Sequence, residues 1–178
     1  MKNTVFELKK EKVNFRNKFK LAKKKISLCH GVFDVLHYGH IDYFIESKKI
    51  SEVLVVSLTS DKFVNKGSNR PYFNHYIRAN VLASLECVDF VIINHNPIAV
   101  PVILNLKPNY YCKGPDFKNL RSDLTKNILI EKKAIEKVRG KIYFTKGNVV
   151  SSSKIINETM NIYSEEQKKF IQDIKLII

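Results

Sequence analysis

Short β-rich runs alternate with helical patterns along most of this chain. The β-rich runs cover residues 26–29, 53–58, 90–93, 110–112 and 142–144. Helical patterns fall between them, around residues 40–48, 75–86 and 99–105, with a longer one over about 122–138 that Gly140 closes. Strands that alternate with helices in this way form right-handed βαβ crossovers, and these build a parallel sheet covered on both faces.

The alternation therefore predicts an α/β fold with a Rossmann-like parallel β-sheet and helices on both of its faces. Ligands of such sheets bind outside the carboxyl ends of the strands, at the point where the strand order reverses. The loops that follow the strands are consequently the places where we expect the chemistry.

One globular domain is the expectation for a chain of 178 residues in which 44% are hydrophobic. We place this domain at residues 25–163, after a charged N-terminal leader at 1–24. The last segment, residues 164–178, carries apolar residues on one helical face and predicts an amphipathic helix. That helix would dock on the core or across a dimer. A membrane-surface helix and a junction to a further domain are the other interpretations.

The chain is strongly basic, with 31 Lys and Arg against 17 Asp and Glu and a formal net charge of +14. This charge favours anionic partners such as nucleotides, nucleic acid or phosphorylated metabolites, although lysine runs also occur on ordinary solvated helix faces. The three cysteines form no CxxC or CxxxH pair, which indicates neither a zinc site nor a disulfide framework. Since no signal peptide and no long apolar stretch is present, we expect a cytoplasmic protein that does not bind membranes.

The most informative segment is residues 26–46, in which a predicted strand passes through Gly31 into a helix that opens with HYGH. The two histidines, His37 and His40, share one helical face because they are three residues apart. They would direct donors at a phosphate chain that the N–H groups of the first helical turn also attract. Gly39 would let that chain approach closely. Taken alone, a match to four residues also arises by chance.

The segment GVFDVLHYGH resembles the signature of the cytidylyltransferase-type (HxGH) nucleotidylyltransferases. That family includes the glycerol-3-phosphate, choline-phosphate and ethanolamine-phosphate enzymes and the nucleotidyl-transfer domain of ADP-heptose synthase. The similarity continues over residues 26–156. It includes SDKF at 60–63, KG at 66–67, RP at 70–71, Arg78, VD at 88–89, KGPD at 113–116 and the turn VSSSKII at 150–156.

The resemblance implies a role for each residue that matches a family motif. The catalytic residues would be His37, His40 and Lys66, which would hold the phosphates and stabilise the charge that develops during transfer. The nucleotide-binding set would be Gly31, Val32, Phe33, Gly39, Lys113, Asp116, Ser151, Ser152 and Ser153. Arg78 and Asp34 would contact the acceptor phosphate, unless Arg78 forms a surface salt bridge and Asp34 caps the following turn.

The implied reaction transfers a nucleoside monophosphate from a nucleoside triphosphate to a small phosphorylated polyol, sugar or amino alcohol and releases pyrophosphate. Mg²⁺ would bind mainly through the nucleotide phosphates, without a metal site built from protein ligands. We expect CTP in preference to ATP, and a homodimer. The arginine that commonly precedes the late turn in the polyol-phosphate enzymes is missing here, where residues 146–149 read KGNV, so the base contact stays open.

Three other interpretations remain at this point. One is an adenylyltransferase of sugar-phosphate or coenzyme biosynthesis, which shares the HxGH motif. A second is a basic nucleic-acid-binding module, suggested by the net charge and the aromatic-rich residues 72–76. The sequence has no RNA-binding signature, however, and we expect no nucleic acid partner. The third makes the chain one half of a bifunctional enzyme fused to a sugar kinase.

Overall fold

The computed structural model describes residues 5–8, 14–18, 21–65, 70–118 and 127–147. The strands are β1 Val5–Leu8, β2 Ile26–Gly31, β3 Val53–Thr59, β4 Phe90–Asn94, β5 Tyr110–Lys113 and β6 Lys141–Phe144. The helices are α1 Phe15–Lys18, α2 Tyr38–Lys49, α3 His75–Ala83, α4 Val100–Leu106 and α5 Asn127–Lys137. The strands form one sheet in the order β1-β4-β3-β2-β5-β6, and every neighbouring pair is parallel.

Side chains of β3 point alternately into two hydrophobic layers. Val53 and Val55 pack in the layer that also contains residues of α4 and α5. Leu54 and Val56 pack in the opposite layer, with residues of α2 and α3. All seven residues of β3 are buried, which explains its mainly apolar sequence, interrupted only by Ser57 and Thr59. The structure therefore confirms the prediction of a parallel sheet covered by helices on both faces.

The strand order reverses between β2 and β5. From β2 the chain moves through β3 to β4 in one direction, and it then crosses back to β5 and β6 on the other side. Cys29 of β2 and Cys112 of β5 are register partners across this boundary. The loops after β2 and β5 therefore leave from adjacent strands, at the place where sheets of this kind bind ligands.

Two pieces of the predicted leader belong to the fold. β1 pairs with β4 at the edge of the sheet, and Phe15 of α1 is fully buried in the layer that contains α4 and α5. The sequence pattern did not reveal them because each is only four residues long and lies between lysine-rich stretches. Packed structure therefore begins before residue 25, at Val5 among the described residues.

The predicted helices are present with bounds that differ by a few residues. For example, α3 ends at Ala83, since the chain turns there and the N–H of Leu85 donates to the carbonyl of Leu82. The longest predicted helix appears as α5, and residues 119–126 before it lie outside the described residues, as does the helix expected at 164–178. In the part of the chain that the structure describes, no helix is long and apolar enough to cross a membrane.

Candidate active site

The chain leaves β2 through a tight loop in which Phe33 lies over Gly31. Phe33 has a φ of 49°, in the left-handed region that bulky side chains rarely adopt. Its ring is so close to Gly31 that a Cβ there would lie 2.9 Å from Cζ of Phe33. The glycine is therefore required by the approach of the ring as well as by the turn. The buried ring also contacts Phe44 of α2, with 5.1 Å between the ring centroids.

His37 and His40 lie side by side at the start of α2. His37 occupies the N-cap position and His40 lies in the first turn, with Gly39 between them. Their ring centroids are 3.9 Å apart and their planes differ by 21°. His40 also makes a T-shaped contact with Phe33, with 5.2 Å between centroids. Because no acidic residue occupies the first turn, the helix dipole and both imidazoles favour an anion at this position.

Asp34 is buried and holds the segment that precedes α3. Its Oδ1 accepts hydrogen bonds from the backbone N–H of Tyr72 at 2.6 Å and of Phe73 at 3.3 Å. Its Oδ2 pairs with Nε of Arg70 at 3.0 Å, and its side chain has no exposed surface. These contacts make Asp34 an internal anchor. Its contact with an acceptor phosphate stays a prediction.

Arg78 on α3 is 2% exposed, and four hydrogen bonds use most of its guanidinium. Nε donates to the carbonyl of Phe73 at 2.8 Å, and Nη1 donates to the carbonyl of Val32. Nη2 donates to the carbonyl of Thr59 at 3.1 Å and to Oδ1 of Asp61 at 2.5 Å. A guanidinium has only five N–H donors, so these bonds leave at most one for a phosphate. Its predicted contact with the acceptor is not tested by these bonds.

Asp61 fixes the start of α3 with its second carboxylate oxygen. This Oδ2 accepts from the backbone N–H of His75 at 3.1 Å and lies 2.7 Å from Nδ1 of the same residue. Burial alone would raise the pKa of Asp61. Hydrogen bonds from His75 and Arg78 outweigh that effect and hold its pKa below the ordinary value. The ionised carboxylate therefore ties the loop after β3 to α3.

Lys113, at the end of β5, is paired with a buried carboxylate. Its Nζ lies 2.9 Å from Oε2 of Glu131 on α5, and it lies over the rings of Tyr111 and Phe117, 4.9 and 4.7 Å from their centroids. Glu131 also accepts from the hydroxyl of Tyr111 and from the backbone N–H of Ala99. Burial would raise the pKa of Glu131, but the charge of Lys113, its hydrogen bond and the hydrogen bond from the backbone N–H of Ala99 hold that pKa below the ordinary value. Much of the lysine charge is therefore neutralised within the protein.

His30, on β2, is kept neutral beside this ion pair. Its Nδ1 lies 3.0 Å from Oγ of Ser57 on β3. Burial of the ring, followed by the positive charge of Lys113, lowers the pKa of His30 from 6.5 to about 4. At neutral pH this histidine adds no positive charge to the site.

Asp116 is exposed in the 3₁₀ turn Pro115–Lys118, which follows β5. Its carboxylate folds back toward the preceding backbone, where a Cβ on Gly114 would collide with it. The structure thus places Lys113 at the end of β5 and Asp116 just after it, on the strand next to β2, which leads to the two histidines. Contact of either residue with a nucleotide stays a prediction.

Four predicted site residues lie outside the described residues, namely Lys66, Ser151, Ser152 and Ser153. The chain leading to the serines is described as far as residue 147. Glu46 of α2 accepts from the backbone N–H of Lys146 at 2.8 Å, and a Cβ on Gly147 would collide with the carboxylate of Asp42. Asp42 is one turn closer than Glu46 to the N-terminus of α2. Residues 146 and 147 therefore lie along α2, the second of them nearer to the end that carries the histidines.

Residues 28–158, well over half of the chain, match the family described as cytidylyltransferase-like. The chain belongs to this family. The matched range contains every residue that the sequence pattern assigned to the site, and the family is one of nucleotidyltransferases.

Curated relatives of this cytidylyltransferase-like chain carry the name bifunctional protein HldE. The relative from Geobacter metallireducens is 34% identical over 152 residues, which are 83% of this chain and 29% of that protein. The relative from Campylobacter fetus is 39% identical over 137 residues, which are 76% of this chain and 28% of that protein. The chain thus spans less than a third of the length of these relatives.

Two solved structures are similar in fold. A lipopolysaccharide core biosynthesis protein from Thermoplasma volcanium has a TM-score of 0.59 and 26% identity, over 71% of this chain and 99% of that one. A pantoate-β-alanine ligase from Francisella tularensis has a TM-score of 0.50 and 16% identity, over 83% of this chain and 69% of that one. The second similarity concerns the fold alone.

The sequence pattern assigned no role to several residues that organise the site. Asp61 and Arg70 lie within segments that match the family, so a signal for them was present. The buried position of Glu131 could not be predicted, because a glutamate next to two lysines on a helix is typical of a solvent-exposed surface. Among the described residues, no three His, Cys, Asp or Glu side chains converge as they would around a metal ion.

Proposed function

We propose that this chain transfers an adenylyl group from ATP to the phosphate of a small phosphorylated sugar and releases pyrophosphate. The stacked pair of His37 and His40 carries the proposal. Two imidazoles lie together at the N-terminus of α2, directly after the strand at which the sheet order reverses. A helix N-terminus at this edge of a parallel sheet is a favourable position for a phosphate chain.

In the proposed reaction an oxygen of the sugar phosphate attacks the α-phosphorus of ATP in line. The new bond joins this oxygen to the α-phosphorus, and the bond from the α-phosphorus to the oxygen of the leaving pyrophosphate breaks. Such chemistry requires positioning and stabilisation of negative charge more than covalent help from the protein. His37 and His40 would donate ring N–H groups to the triphosphate, and the helix dipole would add to the same field.

The late serine turn and Lys66 complete the proposed site. The positions of Lys146 and Gly147 beside α2 support a role for the serines, since these two residues precede the serines by only a few positions and lie next to the helix that carries the histidines. Lys66 belongs to a short segment whose flanking residues, Asp61 and Arg70, are both tied to the site by ion pairs. A lysine from this segment would bridge the two phosphates as they approach one another.

Mg²⁺ would arrive with the triphosphate. The carboxylates of Asp34 and Asp61 are each paired with an arginine, whose positive charge makes them weaker ligands for a metal ion than unpaired carboxylates would be. Nucleotide phosphates and waters are common ligands of Mg²⁺, and the ion would neutralise charge on the departing pyrophosphate.

ATP takes the place of CTP as the proposed donor. The late turn lacks the arginine that commonly precedes it in the polyol-phosphate cytidylyltransferases. The motifs also resemble the nucleotidyl-transfer domain of ADP-heptose synthase, whose product carries an adenine nucleotide. Relatives that are bifunctional proteins and a structural relative of lipopolysaccharide core biosynthesis fit a sugar-phosphate enzyme better than a polyol-phosphate enzyme.

A pyrophosphate-release assay tests the proposal. The protein is incubated with ATP or CTP and with separate panels of phosphorylated sugars, polyols and amino alcohols, and mass spectrometry identifies the product. We expect release with ATP and a sugar phosphate. Turnover with CTP alone would overturn the donor assignment, and turnover with a polyol phosphate alone would overturn the acceptor. No pyrophosphate with any pair would overturn nucleotidyl transfer. A parallel preparation from host cells that do not express the protein controls for contaminating activity.

A further inference from the structure

A closed ring of hydrogen bonds joins the loop after β2 to the segment before α3. Asp34 accepts from the backbone N–H groups of Tyr72 and Phe73. Arg78 donates from Nε to the carbonyl of Phe73 and from Nη1 to the carbonyl of Val32. The ring therefore runs from Val32 through Asp34 and Phe73 to Arg78 and back to Val32. Both the N–H and the carbonyl of Phe73 are hydrogen-bonded within it, to Asp34 and to Arg78 respectively.

Phe33 is the one residue between the two points at which this ring holds the loop. Its backbone φ of 49° is unfavourable for a bulky residue, so the conformation needs support from its surroundings. The bonds to Val32 and Asp34 supply that support on either side. The ring of Phe33 then contacts His40, and His40 stacks on His37. Phe33 thus connects the residues of the closed set of hydrogen bonds, Val32 and Asp34, to both imidazoles.

The charged groups of Asp34 and Arg78 are enclosed and occupied. The Asp34 side chain has no exposed surface: Oδ1 accepts from two backbone N–H groups, and Oδ2 forms an ion pair with Arg70 but accepts no hydrogen bond from the described residues. Arg78 is 2% exposed, and its guanidinium makes four hydrogen bonds within the protein. Arg78 therefore has at most one N–H donor left for a substrate phosphate, and a carboxylate such as that of Asp34 accepts hydrogen bonds and does not donate one to a phosphate.

We infer that Asp34 and Arg78 are positioning residues, which set the orientation of the His37–His40 pair through Phe33 and do not contact the acceptor. This inference rests on the proposed function for its kinetic consequences, although the orientation of the imidazoles can be measured without any reaction. Misplacing a preorganised donor by a fraction of an ångström lowers turnover while the substrate still binds.

A double-mutant cycle separates positioning from contact. Asp34→Asn keeps the size of the side chain and weakens its bonds to Arg70 and the backbone. We expect it to lower kcat on the order of tenfold with a smaller change in KM for the acceptor. In a protein that already carries His37→Ala and His40→Ala, the same change should lower kcat less than about twofold, because the groups it positions are gone. An equal loss in both backgrounds would overturn the inference in favour of direct contact.

Asp89→Asn is the matched control. Asp89 also anchors a backbone, since it accepts from the N–H of Leu54 at 2.6 Å and pairs with Lys48 at 2.5 Å. It lies at the opposite end of the strands from the histidines, just before β4. We expect Asp89→Asn to lower stability and leave kcat unchanged. A matching fall in kcat would mean that any weakened anchor impairs turnover, which would overturn the specific role of Asp34.

The imidazole NMR signals give a readout that is independent of the reaction. The chain has five histidines, so single His→Ala variants assign all the signals. Asp34→Asn, and Arg78→Lys as a second variant, should shift the signals of His37 and His40, whereas Asp89→Asn should leave them in place. Unmoved signals in a folded Asp34→Asn protein would overturn the inference. Shifted signals in a protein that releases no pyrophosphate would support positioning and reject the proposed function alone.

Discussion

The imidazole rings of His37 and His40 are stacked, with centroids 3.9 Å apart and planes that differ by 21°. Stacking makes the two rings a single unit, because neither can rotate without disturbing the other. Phe33 restrains this unit from the side of the β2 loop, in a T-shaped contact with His40. The donors are therefore set in place before a nucleotide binds, which is the condition under which electrostatic stabilisation is most effective.

Replacing either histidine should impair turnover and preserve the fold. We expect His40→Ala, and separately His37→Ala, to lower kcat on the order of a hundredfold or more, the scale of losing one preorganised donor to a developing charge. Pyrophosphate release measures kcat, and circular dichroism checks that each variant is folded. Near-normal turnover in both folded variants would remove the histidines from the mechanism.

Lys66→Ala should damage turnover more than nucleotide affinity. A lysine that bridges two phosphates contributes mainly as they approach each other, so its loss lowers kcat and leaves the dissociation constant of ATP nearly unchanged. Lys62→Ala is the control, since Lys62 is exposed in the 3₁₀ turn Asp61–Phe63. Calorimetric titration supplies the affinity. A loss of affinity with unchanged kcat would assign Lys66 to ground-state binding.

The main architecture could be predicted from the sequence because its signals are local. The central strands are mainly apolar, and helical patterns of ordinary length separate them. β1 could not be predicted in this way. It has four residues, and only its pairing with β4, more than eighty residues later, distinguishes it from the charged segment around it.

In the candidate site, too, the local features could be predicted from the sequence and the long-range contacts could not. His37 and His40 are three residues apart at a helix start, so their shared face follows from local geometry. The partners of Asp34 and Arg78 do not, because Tyr72 is 38 residues from Asp34 and Val32 is 46 residues from Arg78. These pairings depend on how the loops after β2 and β3 meet the start of α3. The hydrophobic pattern of a single segment cannot predict this tertiary arrangement.

The late serine turn should bind the triphosphate. We expect the double variant Ser152→Ala, Ser153→Ala to weaken ATP binding in titration calorimetry, because hydroxyl and backbone donors at a helix start bind phosphate. Serine is also an ordinary helix cap, and its replacement by alanine commonly costs about 1 kcal/mol of stability with no ligand involved. Denaturation must therefore be measured alongside binding. If only stability falls, the turn is a cap.

Glu131→Ala should destabilise the fold strongly. Glu131 is 2% exposed and is the partner of the largely buried Lys113, so its removal leaves the lysine charge uncompensated. Breaking a buried pair from one side costs about 3–5 kcal/mol of unfolding free energy. Urea denaturation at neutral pH measures it. The exposed Glu136→Ala, on the same helix, should change stability by less than about 0.5 kcal/mol. Equal effects would show that the Lys113 pair contributes little.

The neutral state of His30 predicts that stability falls as the solution is acidified. Its folded-state pKa of about 4 lies below the ordinary value of 6.5, so the unfolded chain takes up a proton first as the pH drops. The stabilisation is therefore complete above pH 6.5 and is lost progressively between pH 6.5 and pH 4. The shift corresponds to roughly 2 kcal/mol between pH 7 and pH 5, less if solvent reaches part of the ring. Urea denaturation at both pH values measures this for the wild type and for His30→Asn, which lacks the titrating group. Every other ionisable group is common to the two proteins. On acidification from pH 7 to pH 5 the wild type should therefore lose about 2 kcal/mol more unfolding free energy than His30→Asn. Equal losses in the two proteins would show that the pKa of His30 is not lowered.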